Sequence, residues 1–300
     1  MCGICGIVTT YNDSGPGIVQ KMNAHLTHRG PDGEGYFHSQ HISLGMRRLS
    51  IIGLNDGWQP IFNEDKSLVI VANGEIYNYI ELRAELEKKN HIFSTHSDVE
   101  NILHLYEDYG IDCVKYLRGM FSFALWDITM QRLLLVRDRM GEKPLYIYEE
   151  GETIYFASEL KSLLQSNKIK FEFDPISIDL YFHYGYVPEP LTPLKGVRKL
   201  PAGHLMLVDT TTWRVDERVY WNMDDIPPLE GNPIKLIREQ LEDMSEIVVR
   251  SDVPVGVALS GGIDSSVIAV LAARKYPGIL QAFSVGYPGR PAHDERDQAR

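Results

Sequence analysis

The sequence predicts two folding units of different class: an α+β unit with helices packed outside stacked sheets, then the start of a parallel-sheet α/β unit. Three observations carry this. Short apolar runs of β character dominate residues 2–210, with few helical patterns among them. The pattern changes over 211–231, whose second half is rich in Pro, Asp and Asn and reads as a linker. Residues 232–300 read helix, strand, small-residue loop, helix, strand, and the last four are the βαβ order of a doubly wound sheet.

Residues 4–9 (ICGIVT) give the first expected strand. In 17–27, Ile18, Met22 and Leu26 recur every fourth residue, which predicts a helix, and Gly30-Pro31-Asp32-Gly33 then breaks the chain. The apolar runs 67–73 and 119–126 predict strands. A turn over 127–131 joins the second run to 132–138 as a hairpin. Further strands are expected at 144–148, 152–156 and 204–208, and helices at 78–89 and 98–109. Asn232 and Pro233 supply an N-cap and a first-turn proline. The helix behind them carries Ile237, Leu241, Met244 and Val248 on one face. The run 253–259 is almost wholly apolar, as a strand buried on both faces should be. A loop at 260–266, a helix at 267–276 and a strand at 280–285 complete the unit.

Three hundred residues fit about two domains. An apolar content of 44% and a charged content of 24% are ordinary for a globular chain. The net charge of −11 argues against nucleic acid, whose binding rests on Lys and Arg neutralising phosphates. No apolar run approaches the ~18–20 residues that span a bilayer, so no membrane association is expected. The N-terminus lacks a basic region before an apolar one, and three cysteines form no disulfide framework. A cytoplasmic location is the expectation.

Five segments can carry chemistry. Cys2 becomes the first residue once Met1 is removed, and then offers a thiol and a free α-amine together. Their ordinary pKa values, about 8.5 and about 7.7–8.0, suit a nucleophile and its own base near neutral pH. The plainer reading is a cysteine packed in a strand. A zinc site of Cys2, Cys5, His25 and His28 is disfavoured, because the His spacing is short and strand alternation points the two thiols to opposite faces. A redox Cys-x-x-Cys is weak because no helix follows.

Arg47-Arg48 is either surface charge or a bidentate clamp for a carboxylate. Asn73-Gly74 ends an apolar run, as a turn or as two donors of an oxyanion hole. Ser97 and Glu100 have capping-box spacing, which frees Asp98 to face a ligand ammonium. In Leu259-Ser260-Gly261-Gly262-Ile263-Asp264-Ser265-Ser266, a glycine-rich turn between strand and helix offers N–H groups and hydroxyls to a phosphate. Asp264 is placed to hold Mg²⁺. The lysine of a P-loop is absent.

Together these segments resemble glutamine-dependent asparagine synthetases of the class II amidotransferase type. The resemblance rests on Met1-Cys2-Gly3-Ile4, His28-Arg29-Gly30-Pro31-Asp32-Gly33, Arg48-Leu49-Ser50-Ile51, Asn73-Gly74-Glu75-Ile76-Tyr77-Asn78 and Ser97-Asp98. Gly119–Ala124, Arg137-Asp138-Arg139, Gly141–Tyr146, Phe156–Lys161, Ser251–Gly256 and Leu259–Ser266 continue it in order. It implies an N-terminal-nucleophile αββα sandwich over 2–210, a linker over 211–231, and the first part of an ATP-pyrophosphatase-type synthetase domain over 232–300.

On that resemblance Cys2 attacks the glutamine amide, while Asn73 and Gly74 form the oxyanion hole. Arg48 binds the substrate carboxylate, Glu75 and Asp98 hold its ammonium, and Leu49, Ser50, Ile51 and Ile52 line the pocket. Leu259 and Val285 contact ATP, Ser260, Gly261, Gly262, Ser265 and Ser266 hold pyrophosphate, and Asp264 holds Mg²⁺. Ammonia goes to an adenylated carboxylate, aspartate in the family, giving asparagine. The partners implied are glutamine, ATP and aspartate, with a homodimer as the candidate assembly. A relative amidating another acceptor, for example in surface-polysaccharide synthesis, and a non-catalytic glutamine-binding module are the alternatives. The chain stops at Arg300, so only the first portion of the synthetase domain is expected.

Overall fold

Residue alternation along the first strands decides which side chains meet. The computed structural model describes residues 2–11, 15–286, 288–289 and 298–299. The first unit begins with strand β1 (Gly3–Thr9), helix α1 (Pro16–Ala24), and strands β2 (Gly33–His38) and β3 (Ile42–Arg48). Strands β4 (Ile61–Phe62) and β5 (Leu68–Ile76) precede helices α2 (Tyr79–Lys88) and α3 (Glu100–Tyr109). A 3₁₀ turn at Gly110–Tyr116 leads into β6 (Gly119–Asp127) and β7 (Arg132–Arg137). Next come β8 (Tyr146–Glu149), β9 (Thr153–Ala157), α4 (Leu160–Leu164) and α5 (Pro175–Tyr184). Strands β10 (Val197–Lys199), β11 (His204–Asp209) and β12 (Arg214–Val219) finish the unit. The second unit contains α6 (Pro233–Val248), β13 (Gly256–Ala258), α7 (Ile263–Lys275) and β14 (Gln281–Phe283).

Two six-stranded antiparallel sheets result, in the orders β10-β8-β9-β1-β3-β2 and β12-β11-β7-β6-β5-β4. Ile4, Val8, Ile42, Leu44 and Met46 from the first sheet pack on Val69, Val71, Ala124, Trp126, Leu133 and Leu135 from the second. Cys5 and Ile7, on the opposite face of β1, pack under α1 and α4 with Val19, Met22 and Leu163. Ile70, Ala72, Phe123, Leu125, Leu134 and Val136 pack under α2 and α3 with Leu82, Leu86, Ile102 and Leu103. The layers are therefore helix, sheet, sheet, helix. Both faces of β5, β6 and β7 are buried, which explains their unbroken apolar runs.

The chain divides into compact units at Ile226/Pro227. The stretch expected as a linker contributes β12, which pairs with β11 from His204↔Val219 to Asp209↔Arg214. Its exposed Arg and Glu side chains mark an edge strand, a pattern that resembles loop composition.

Two further expectations are corrected. Helix α3 starts with Val99 as its cap and has no side-chain capping bond. Ser97 Oγ accepts from the Val99 N–H at 3.3 Å, but Glu100 does not reach back to it. The Glu100 carboxylate is buried and accepts instead from the N–H and hydroxyl of both Ser94 and Thr95, at 2.6–2.8 Å. Four donors in the preceding loop outcompete the single one a capping box would offer. In the second unit, β13 is parallel to β14 as a βαβ unit requires. The strand is exposed rather than buried on both faces, because β14 is its one neighbour among the described residues. Ile237, Leu241, Met244 and Val248 are likewise partly exposed along α6.

Candidate active site

Strand parity brings the first set of functional side chains together. Cys2 continues the Ile4 and Val8 face of β1 and packs against the layer between the sheets. Arg48 continues the Ile42, Leu44 and Met46 face of β3 into the same layer, and Gly3 pairs with Arg47, so Cys2 lies beside the end of β3. Asn73 shares the parity of Val69 and Val71 on β5 and enters that layer from the other sheet. The adjacent arginines thus part company. Arg47 turns outward to Glu34 at 2.6 Å, while Arg48 is buried.

These side chains line one open cleft with Leu49, Ile51, Ile52, Gly57, Gln59, Gly74, Glu75, Ser97, Asp98, Val99, Met120 and Lys143. The Leu49 N–H donates to Cys2 Sγ at 3.4 Å, and Arg29 Nε donates to the Cys2 carbonyl at 2.8 Å. Burial pushes the Cys2 thiol up, against the pull of the Leu49 N–H and the Arg48 guanidinium. A thiol held neutral in this way needs a base when it attacks.

Arg48 spends donors on its own loop, giving Nη2 to the carbonyls of Gly53 at 2.6 Å and Ile52 at 3.2 Å. Its guanidinium also stacks 4.8 Å from the Trp58 ring. A Cβ on Gly57 would lie 2.7 Å from Nη2, so only glycine leaves the guanidinium this space. Burial lowers the Arg48 pKa, yet the group stays cationic.

Asn73 is completely buried, and neither its Nδ2 nor its Oδ1 has a hydrogen-bond partner. Such an amide is costly unless a ligand completes it. Gly74 has φ +151°, and a Cβ there would lie 2.0 Å from the Met120 carbonyl oxygen. Asp98 accepts from the Ile76 N–H at 2.7 Å. Burial raises its carboxyl to about 6, with the Glu75 charge adding to the rise and the Ile76 N–H opposing it. Glu75 is also raised by burial, while Lys143 opposes the shift.

Of the residues expected in this pocket, Ser50 is the exception. It is not among the lining residues, and its N–H donates to Asp32 at 2.7 Å. Sequence reading missed Lys143, Gln59 and Gly57 as lining residues. Lys143 lies within the Gly141–Tyr146 segment of the resemblance, which is the sequence signal for it. The zinc alternative does not assemble. Cys5 is buried under α1, its Sγ facing the Val19 carbonyl at 3.8 Å, and His28 pairs with Glu159 at 2.9 Å.

In the second unit, Gly261 turns the chain with φ +92° and Gly262 precedes α7. Ser260 Oγ and Ser265 Oγ lie 3.0 Å apart, and Ser266 Oγ donates to the Gly262 carbonyl at 2.8 Å. The Leu259 N–H donates to the Phe283 carbonyl at 2.9 Å, and Ser284 Oγ donates to the Leu259 carbonyl at 2.6 Å. Leu259 and Val285 therefore lie just past the C-terminal ends of two parallel strands, where such sheets take ligands. Asp264 stands in the first turn of α7. The exposed Ser260 hydroxyl, the half-buried Ser265 and Ser266 hydroxyls, the helix N-terminus and this carboxylate form a set that fits a phosphate with its divalent ion.

A glutamine amidotransferase domain model matches residues 1–221. The chain belongs to the glutamine amidotransferase family. Behind the amidotransferase domain, an asparagine synthase model matches residues 236–300. The chain is 39% identical over 293 residues to asparagine synthetase [glutamine-hydrolyzing] 1 of Bacillus subtilis (strain 168), covering 96% of this chain and 46% of that protein. It is 38% identical over 317 residues to putative asparagine synthetase [glutamine-hydrolyzing] 2 of Methanocaldococcus jannaschii, covering 97% of this chain and 60% of the relative. The amidotransferase chain thus spans about half the length of the curated relatives it matches.

Among solved structures, the allosteric regulatory enzyme of purine biosynthesis superposes with TM-score 0.57 at 17% identity, covering 99% of this chain and 70% of that one. Glutamine phosphoribosylpyrophosphate amidotransferase from B. subtilis superposes with TM-score 0.56, also at 17% identity and with the same coverage of both chains. These likenesses establish the N-terminal-nucleophile amidotransferase fold. Among the described residues, no helix is long and apolar enough to cross a membrane.

Proposed function

We propose that the first unit hydrolyses glutamine to glutamate and ammonia at Cys2, and that the ammonia is delivered to an adenylated carboxylate, aspartate in the favoured case. The observation that carries the reading is the buried, unpartnered Asn73 amide in one cleft with Cys2, Arg48 and Asp98. A free amino acid bears one carboxylate and one ammonium. Arg48 suits the first, and Asp98 with Glu75 suits the second.

Removal of Met1 frees the Cys2 α-amine. The amine takes the thiol proton as sulfur attacks the glutamine amide carbon. The oxyanion so formed accepts from Asn73 Nδ2 and the Gly74 N–H. Collapse of the tetrahedral adduct breaks the C–N bond, and the α-ammonium returns its proton to the leaving ammonia. Water, deprotonated by the same amine, then cleaves the glutamyl thioester, releasing glutamate and restoring the thiol.

In the second unit, Ser260, Gly261, Gly262, Ser265 and Ser266 hold the phosphates of ATP, Leu259 and Val285 flank the nucleotide, and Asp264 binds Mg²⁺. Bound ATP supplies the adenylate that activates the acceptor. The N–H groups at the start of α7 and the serine hydroxyls orient the phosphates. The similarity to proteins named asparagine synthetases supports aspartate as acceptor. A product assay with glutamine, ATP, Mg²⁺ and a panel of carboxylates tests it. Asparagine formed only with aspartate is the expected result, and amidation of a different carboxylate would replace it.

A further inference from the structure

On the helix side of the second sheet, away from the cleft, four side chains from three places in the chain converge. Glu64 comes from the turn between β4 and β5, His91 from the segment after α2, and His104 and Glu107 from one face of α3. The i, i+3 spacing makes the last two neighbours. His104 Nδ1 lies 2.8 Å from Glu107 Oε2 and 3.8 Å from Glu64 Oε2. His91 Nδ1 lies 3.2 Å from the same Glu107 oxygen. One ligand atom from each of the four residues falls within 4.8 Å of the others.

The groups behind these atoms decide how they face. His91 Nε2 is 3.0 Å from Asp108 Oδ1, and His104 Nε2 points at Glu100 Oε1 from 3.8 Å with no hydrogen-bond partner of its own. Asn63 Nδ2 donates to the outer oxygen of Glu107 at 2.7 Å. Asp108 behind His91 favours the tautomer with its proton on Nε2, which leaves the His91 Nδ1 lone pair inward, whereas His104 Nδ1 is hydrogen-bonded to Glu107 and gives up that proton when it ligates a metal. One imidazole lone pair, one exchangeable imidazole proton and two carboxylate oxygens then face one another, so the four groups are held together either by that proton or by a metal cation in its place.

We propose that Glu64, His91, His104 and Glu107 form a divalent transition-metal site, best suited to zinc. Tetrahedral zinc with bonds of about 2.0–2.1 Å places its ligands roughly 3.3 Å apart, against 2.8, 3.2 and 3.8 Å for the three pairs above and no more than 4.8 Å for the others. Two imidazoles with two carboxylates suit zinc better than calcium or magnesium, which take oxygen ligands. His104 is fully buried, whereas the Glu64 side chain is 36% exposed and the His91 side chain 13%, so the site opens to solvent on one side. The ion ties the β4–β5 turn and the segment after α2 to helix α3, and so acts as a structural clip rather than in the glutamine chemistry. A proton shared by the imidazoles satisfies the same contacts without metal, and the experiment separates the two.

The full chain is stripped with a chelator and titrated with zinc against a chromophoric competitor, and in parallel with cobalt(II) followed by visible absorption. One equivalent of zinc and a tetrahedral cobalt spectrum are expected in the wild type, and both persist in Cys2→Ala, which excludes the half-buried Cys2 thiol as ligand. His91→Ala and Glu107→Gln are each expected to weaken zinc by more than about tenfold. Folding of these variants is checked by circular dichroism. No zinc binding by the wild type overturns the site whatever the variants do. Binding lost in Cys2→Ala but kept in His91→Ala overturns it equally.

Discussion

Asn73 holds a fully buried amide with both ends unpartnered, in a strand whose other side chains are packed. Replacing it by alanine removes one donor from the developing oxyanion. Glutamine kcat is expected to fall about 10²–10³-fold with little change in KM. The folding stability should not fall, because the alanine leaves no amide to desolvate. Steady-state kinetics and urea unfolding check the two halves. Asp98 yields a pH dependence. Its carboxyl titrates near 6 in the free protein, and only the carboxylate holds an ammonium. Glutamine kcat/KM should therefore be high above pH 6 and decline as the pH drops through it. Asp98→Asn should lose about tenfold or more at pH 7.5 and lack that acid limb. A limb unchanged in Asp98→Asn would assign it to another group. Cys2, Arg48, Asn73, Gly74 and Asp98 are legible in the sequence because each sits in a short motif with its own chemistry. Lys143 is harder to read, since the charge of Glu75 is brought near it only by the fold.

At the scale of elements, the long buried strands are legible because β5, β6 and β7 are covered on both faces and so carry apolar runs. Strands β2 and β3 are harder to read. Gly35 and Gly45 interrupt their β character, and each is required by close packing. A Cβ at Gly35 would lie 1.9 Å from the Gln59 carbonyl oxygen. Helix α5 is rich in aromatic and β-branched residues, which hide it. Its signal lies at the ends, in the Asp174 cap, Pro175 and the left-handed Gly185. The turn after β7 makes a testable case. The fully buried Asp138 carboxylate accepts from the N–H groups of Phe121, Met140, Glu142 and Lys143. Asp138→Ala leaves those donors unmatched and is expected to cost about 3 kcal/mol or more in urea unfolding. The same change frees the turn carrying Lys143, so glutamine KM should rise as well. Unchanged unfolding would mean that water replaces the carboxylate.

At the scale of the whole molecule, the division into two classes of fold is legible from periodicity, whereas the residue of division is not. Strand β12 has the exposed, charged composition of a loop, and only its pairing with β11 places it in the first unit. The two units carry separable chemistry in the proposed function. Asp264→Ala is expected to abolish ATP-dependent activation of the acceptor, followed as pyrophosphate release, and to leave basal glutamate release intact. Equal loss of both would join what the proposal separates. The central claim is that Cys2 breaks the glutamine amide bond, and glutamate release from glutamine by purified wild type and Cys2→Ala tests it most directly. The expected result is glutamate from the wild type and none above the uncatalysed rate from a Cys2→Ala protein of unchanged thermal stability; equal release by the two would contradict it.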